Sequence, residues 1–248
     1  MGVSLDDVKK LKELTGLGLG DAKNALVDAD GDFDKALEAL RKKGLTKAEK
    51  KDDRETRAGD VDGYVHSDRI GVVVEVNCET DFVAKNAAFV ELAHELAEQA
   101  LFYKDKEEFL ASDFHGISVA EKLIEQTGVI GEKIEIASFE RLEGAFVGSY
   151  IHAGKIATLV ALSANVEGAD EAAKNVAMQA AAMNPIALNE AGVDAAIIEK
   201  EIEIAKEQLR AEGKPEAMLD NISKGKIQRF YKDNTLVNQD YIKDGSMS

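Results

Sequence analysis

One cysteine, Cys78, and four scattered histidines, His66, His94, His115 and His152, are the side chains whose chemistry works near neutral pH. Nucleophilic catalysis would need Cys78 as a thiolate with an imidazole base beside it. Cys78 closes the β-branched run Val72–Val76, where a small buried thiol is the ordinary occupant. His66 and His152 hold equivalent places in two similar segments, as duplication would leave them. No Cys/His spacing fits zinc, and H-E-x-x-H does not occur. Gly16-Leu-Gly18-Leu-Gly20 superficially suggests a dinucleotide loop, but it follows a helical pattern and lacks the third glycine of the fingerprint. The many carboxylate pairs sit at surface spacings of helices. The expectation is a protein that is not an enzyme, with no catalytic residues, no metal and no cofactor.

The unusual segment is Asn77-Cys-Glu-Thr80-Asp81-Phe82-Val83-Ala84-Lys85-Asn86, where a strand ends and a helix begins. Two readings stand. Thr80 or Asp81 is an ordinary N-cap with Phe82 as its hydrophobic staple. Alternatively, Asp81 and Phe82 project from the rim of a sheet as an anchor for a partner's pocket.

The elements around this segment follow from patterning. The 248 residues carry 31 Lys and Arg against 47 Asp and Glu, a net charge of −16, and 45% are hydrophobic. That suffices for a core and argues against nucleic acid as a direct partner, since phosphate affinity comes from cations. No apolar run reaches the roughly 18 residues of a membrane span, no secretory leader is evident, and a lone cysteine fits a reducing, cytoplasmic setting.

Residues 1–45 read as a compact three-helix domain. Ser4 begins the first helix; Ala22, Ala25 and Leu26 mark the second; Asp32 caps a third whose stripe is Phe33, Leu37 and Leu40 and which Gly44 is expected to stop. A basic linker, 46–58, follows. Beyond it lies a repeat. Tyr64-Val-His66-Ser-Asp-Arg69-Ile70 recurs 86 residues later as Tyr150-Ile-His152-Ala-Gly-Lys155-Ile156, each copy predicting a β-hairpin followed by a helix. Phe89, Ala93, Leu96 and Ala100 face inward from the first helix, and the second runs from about Ala169 to Met183. The first copy continues with a helix near Ile117–Gln126 and a strand over Lys133–Glu140. The second turns instead into an antiparallel helical hairpin with the seam Ile198, Ile202, Ala205 and Leu209, a turn at Gly213-Lys-Pro215, and Met218, Leu219 and Ile222 opposite. The fold class expected is therefore α+β: a three-helix domain, then two duplicated antiparallel subdomains. Subdomain N spans 59–143, subdomain C spans 144–185 and 224–248, and a coiled-coil hairpin at 186–223 is inserted into the latter.

At these residues the chain resembles the bacterial elongation factor Ts family. LKELTGLGLGDAKNALVDADGDFDKALEALRKKG is similar to that family's ubiquitin-associated-type (UBA-like) domain, VNCETDFVAKN to its core motif, and VGSYIHAGKIATLVAL and IKDGSMS follow in family order. The resemblance implies a guanine nucleotide exchange factor for elongation factor Tu, in GDP-bound and nucleotide-free states, acting in translation elongation and protein biosynthesis. It further implies that Thr80, Asp81, Phe82 and Val83 disturb the partner's Mg²⁺ site, that Lys23 grips its GTPase domain, and that Ile130, Gly131 and His152 support the contact. It also implies a closing helix and strand beyond Ser248, so that subdomain C is expected to lack a strand here. A generic UBA-type adaptor would leave the duplicated core unexplained, and a Cys78 hydrolase would be inactivated by thiol alkylation.

Overall fold

The computed structural model describes residues 3–15, 17–49, 51 and 53–248, with 45–49 described as backbone alone. Gly16, the first glycine of the Gly16–Gly20 run, and Lys50 and Asp52 of the linker lie outside the described residues. The chain forms two compact units, Met1–Glu167 and Gly168–Ser248.

The first unit is a mixed α+β arrangement opening with α1 (Leu5–Thr15), α2 (Leu19–Asp28) and α3 (Phe33–Glu49). Val8, Leu11, Ala22, Leu26 and Ala36 form their common core. Ser4 Oγ accepts from the Asp6 N–H at 3.2 Å, and Asp32 Oδ1 accepts from the Lys35 N–H at 3.1 Å. The expected stop at Gly44 does not occur, because α3 runs five residues further. Gly44 is instead the buried point at which α3 crosses α7 (Val119–Ile130). A Cβ on Gly128 would lie 2.9 Å from the Gly44 Cα, so the pair serves packing rather than termination. Lys122 Nζ, donating to the Leu14 carbonyl at 3.2 Å, adds a second tie between α7 and the N-terminal helices.

The sheet follows. β1 (Ala58–His66) and β2 (Ile70–Cys78) form an antiparallel hairpin, and β2 pairs on its other side with β5 (Glu135–Glu143). Alternate β2 residues Val72, Val74, Val76 and Cys78 are buried against Phe89, Ala93, Leu96 and Ala100 of α5 (Ala87–Ala100). Between the helix and β5 come α6 (Lys106–Ala111), unannounced in the sequence pattern, then the two-residue strands β3 (Asp113–Phe114) and β4 (Ile117–Ser118), then α7. A full capping box between Ser118 and Glu121 starts α7, two residues later than the apolar pattern indicates. Along β5 the spacing Ile134, Ile136, Phe139 slips out of phase. A bulge explains it: Val76 pairs with Ile136 and Glu75 with Ser138, leaving Ala137 over.

The opposite face of the sheet receives β6 (Phe146–His152) and β7 (Ile156–Leu162), a two-stranded hairpin among the described residues. They approach so closely that a Cβ on Gly71 would lie 2.8 Å from Val147 Cγ1 and 2.9 Å from Leu159 Cδ2, so any larger residue there must push these side chains aside. Both hairpins turn identically. Ser67 and Asp68 have φ of 51° and 55°, and Ala153 and Gly154 have φ of 52° and 64°. The left-handed pair matches strand twist as primed turns do.

The second unit contains α8 (Ala169–Met183), α9 (Ala195–Ala211) and α10 (Glu216–Asn234). The α9–α10 hairpin buries Ala205 and Leu209 against a stripe of Leu219, Ser223 and Ile227. Met218 is exposed, and Ile198, Ile202 and Ile222 are half-buried, so the seam is narrower than the sequence pattern indicates. α10 continues unbroken through Ser223, so residue 223 lies inside an element. Gln179 and Gln239, both buried, hydrogen-bond each other at 3.2 Å and tie residues 239–242 to α8. Among the described residues no helix is long and apolar enough to cross a membrane.

Candidate functional site

β2 delivers the chain to the rim at Cys78. The next residues make a single turn of helix, α4 (Asp81–Ala84), before Asn86 starts α5. The long helix is capped by Asn86, whose Oδ1 accepts from the Ala88 N–H at 2.9 Å. Neither Thr80 nor Asp81 is therefore its cap, and Phe82, out in solvent, is not a staple. Thr80 does sit at the N-cap position of α4, but its side chain makes no cap hydrogen bond.

Residues Thr80 to Ala84 divide by exposure. Ala84 is buried and Val83 packs half-buried against the core, which anchors the turn. Thr80 and Asp81 are exposed, and Phe82 is 91% exposed. A phenyl ring in water forgoes about 1.5–3 kcal/mol of burial. Lys85 Nζ lies 3.8 Å from Asp81 Oδ2, an exposed and loose pair.

Beneath the turn lies a web of carboxylates. Glu132 Oε2 accepts from the N–H groups of Glu79 and Thr80 at 3.1 and 3.0 Å, and Oε1 accepts from Thr80 Oγ1 at 2.7 Å. Glu79 Oε1 accepts from the Lys133 N–H at 2.7 Å, and Arg54 Nη1 lies 3.0 Å from Oε2. Burial alone would raise the Glu79 pKa, but the Lys133 N–H and Arg54 outweigh it and hold the carboxyl below its usual range. The Cys78 thiol moves the other way, pushed up first by burial and then by the Glu132 charge. Fully buried and donating to the Thr80 carbonyl at 3.3 Å, it is a poor nucleophile.

This web brings Ile130 and Gly131 to the same place. Gly131 ends α7 with φ 86°, which turns the chain so that Glu132 faces Thr80. His152 ends β6 with its Nδ1 2.9 Å from Tyr150 Oη. The neighbouring tip docks on β1: Gly154 O accepts from the Val61 N–H, and Lys155 Nζ donates to Gly59 O, both at 2.9 Å. Since Gly59 pairs with Asn77, the His152 tip and the Thr80–Val83 turn share one end of the sheet. Lys23 stands apart, exposed on α2, and among the described residues no hydrogen bond or ion pair joins it to this cluster. Glu132 and Arg54 carry no sequence signal, because surface carboxylates and a basic linker residue are common everywhere; Asn86 lies in the singled-out segment but was not read as a cap. Among the described residues no group of His, Cys, Asp and Glu is arranged to hold a metal.

An exposed aromatic on a held turn, with no reactive group beside it, fits a binding surface. The family model described as "Elongation factor TS" matches residues 79–248. The chain is 65% identical to elongation factor Ts of Flavobacterium psychrophilum and 61% identical to that of Christiangramia forsetii. Each alignment covers 99% of this chain and 90% of the relative. Against elongation factor Ts of Ruegeria pomeroyi it is 41% identical over 98% of this chain and 84% of the relative. The chain therefore belongs to the elongation factor Ts family of translation elongation factors.

Proposed function

We propose that the chain is a guanine nucleotide exchange factor that binds elongation factor Tu in the cytoplasm and promotes release of its GDP, without covalent chemistry. The observation that carries this reading is Phe82, 91% exposed on a turn anchored by Val83 and Ala84. A ring so exposed in the free protein stabilises association when a partner's pocket takes it up. Asp81 beside it brings a carboxylate to compete on the polar side, where the partner holds Mg²⁺. Thr80 and Val83 complete the inserted segment, and Ile130, Gly131 and His152 flank it. Lys23 makes a separate contact from α2.

Coupling makes this exchange. Whatever factor lowers GDP affinity when this chain binds, GDP lowers the chain's affinity by the same factor. Returning nucleotide therefore displaces the exchange factor, and nothing is consumed. The recurring hairpin turn supports a core of two related subdomains, 59–143 and 144–185 with 224–248. The three-helix domain at 1–45, the linker at 46–58 and the hairpin at 186–223 complete that division.

The test is stopped-flow release of a fluorescent GDP from elongation factor Tu at saturating chain and fixed Mg²⁺. Phe82→Ala is expected to slow release at least about tenfold, since a hot-spot aromatic contributes about 2 kcal/mol or more and each 1.4 kcal/mol is a factor of ten. A folded Phe82→Ala variant exchanging at the parental rate overturns the mechanism.

A further inference from the structure

The insertion mechanism makes no use of Glu79 and Glu132, yet each carboxylate binds the other's backbone neighbourhood. Glu132 takes three donors from the Glu79–Thr80 step, and Glu79 in return takes the N–H of Lys133. Two loops 53 residues apart in sequence are thus locked reciprocally, and Arg54 closes the outer side. The geometry at Thr80 shows what the lock does. A threonine at a helix N-cap ordinarily turns its hydroxyl onto the first-turn amides. Here the hydroxyl points away, to Glu132, and α4 receives no side-chain cap. A helix of four residues has little stability of its own. Its orientation, and with it the direction of Phe82, therefore depends on ties from outside. Val83 and Ala84 supply one from below; Glu132 supplies the other from the side. The sheet core of Val72, Val74 and Val76 against α5 is complete without it.

We infer that Glu132 is a positioning residue: its carboxylate holds the Glu79–Thr80 backbone in the conformation from which Phe82 projects, and joins that turn to the Ile130–Gly131 end of α7. This rests on Phe82 being the inserted side chain. Hydrogen bonds to an ionised acceptor are the strong ones, and order present before association need not be paid for during it. Without Glu132 the turn samples other orientations. Apparent affinity then falls by the fraction still competent, while the rate from the assembled complex changes less.

The full chain carrying Glu132→Ala, Glu132→Gln or Phe82→Ala is titrated against elongation factor Tu loaded with fluorescent GDP, reading half-saturating concentration and maximal release rate separately. Amide exchange at Glu79 and Thr80 is followed by NMR in each free variant. For Glu132→Ala the half-saturating concentration is expected to rise about tenfold, the maximal rate to fall less than about threefold, and both amides to exchange about tenfold faster or more. Glu132→Gln is expected to recover most of this, because its amide oxygen accepts from the two N–H groups while its NH₂ donates to Thr80 Oγ1. Unchanged amide exchange, an unchanged half-saturating concentration, or no recovery by glutamine overturns the inference. If Phe82→Ala slows release and Glu132→Ala does not, the positioning role alone falls. If Phe82→Ala leaves release at the parental rate, the insertion reading falls and the positioning role with it. Should Glu132→Ala melt below assay temperature, Glu132→Asp, one methylene shorter with the charge kept, carries the same expectations.

Discussion

Gly44 and Gly128 meet where α3 crosses α7, and their closeness is asymmetric. A Cβ on Gly128 would lie 2.9 Å from the Gly44 Cα, whereas a Cβ on Gly44 would find its nearest neighbour, the Ile124 carbonyl oxygen, at 3.6 Å. One glycine is required by contact; the other is merely tolerant.

That asymmetry separates two substitutions. Both positions are helical, so alanine gains roughly 0.5–1 kcal/mol of backbone entropy at either. Gly44→Ala should keep that gain and raise stability. At Gly128 overpacking against backbone costs about 1–3 kcal/mol, so Gly128→Ala should be net destabilising and should loosen α3. Denaturant melts and limited proteolysis between α3 and β1 measure the two effects. Equal behaviour of the two variants would contradict the packing described.

The capping residue and the exposed aromatic should also separate. Asn86→Ala removes the cap of α5 and should cost about 1 kcal/mol, with nucleotide release unchanged once the protein is folded. Phe82→Ala should leave the melting temperature within about one degree, because so little of the ring is buried. Thermal melts paired with the release assay give both readings. A large drop in melting temperature for Phe82→Ala would mean the ring packs on the chain in solution.

His94 offers a pH signature. Its Nδ1 lies 2.7 Å from Asp62 Oδ2, and that hydrogen bond, aided by the charges of Asp62, Glu98 and Glu91 and opposed by burial, raises the imidazole above 6.5. A raised folded-state pKa stabilises fully below the unfolded value and loses its contribution as pH rises through the folded value. NMR titration should therefore place His94 above 6.5 in the parent chain and lower it in Asp62→Asn. A titration indifferent to Asp62 would refute the pairing.

The second unit has its own buried polar lock. Gln179 Oε1 accepts from the Ile242 N–H at 2.9 Å, and Gln239 Nε2 donates to the carbonyls of Met183 and Asp233. Gln179→Leu strands the Ile242 amide and should destabilise by about 1–3 kcal/mol. Residues 240–248 should become protease-sensitive before global unfolding. Uniform resistance along the chain would show that the tail is held by other means.

Much of the architecture was legible because its cause is local. The hairpin tips, polar at Ser67-Asp68 and small at Ala153-Gly154, sit between β-branched runs, and α5 and α8 carry apolar residues at helical spacing. The strand around Ile136 and Phe139 was legible, but the bulge at Ala137 that breaks its alternation is a property of pairing with β2. Gly44 was misread because glycine stops isolated helices, and no local pattern announces a partner helix 84 residues away. At the site, Asn77–Asn86 stood out by composition. Whether Phe82 turned inward as a staple or outward into water depended on the ties that hold the α4 turn, from Val83 and Ala84 below and Glu132 at the side, which no local pattern announces.

The α+β class, the two hairpins and the kinship with an elongation factor family were legible in the order of residues alone. These depend on periodicity, turn chemistry and motif, which the chain carries residue by residue. Packing over distance set the rest: α3 passes Gly44, Phe82 faces solvent, and the Thr80 hydroxyl donates to Glu132 instead of accepting from an α4 amide. Each of these is a contest between a local preference and a contact from a distant part of the chain. Its outcome is set by which groups the packed fold brings within about 3 Å of one another.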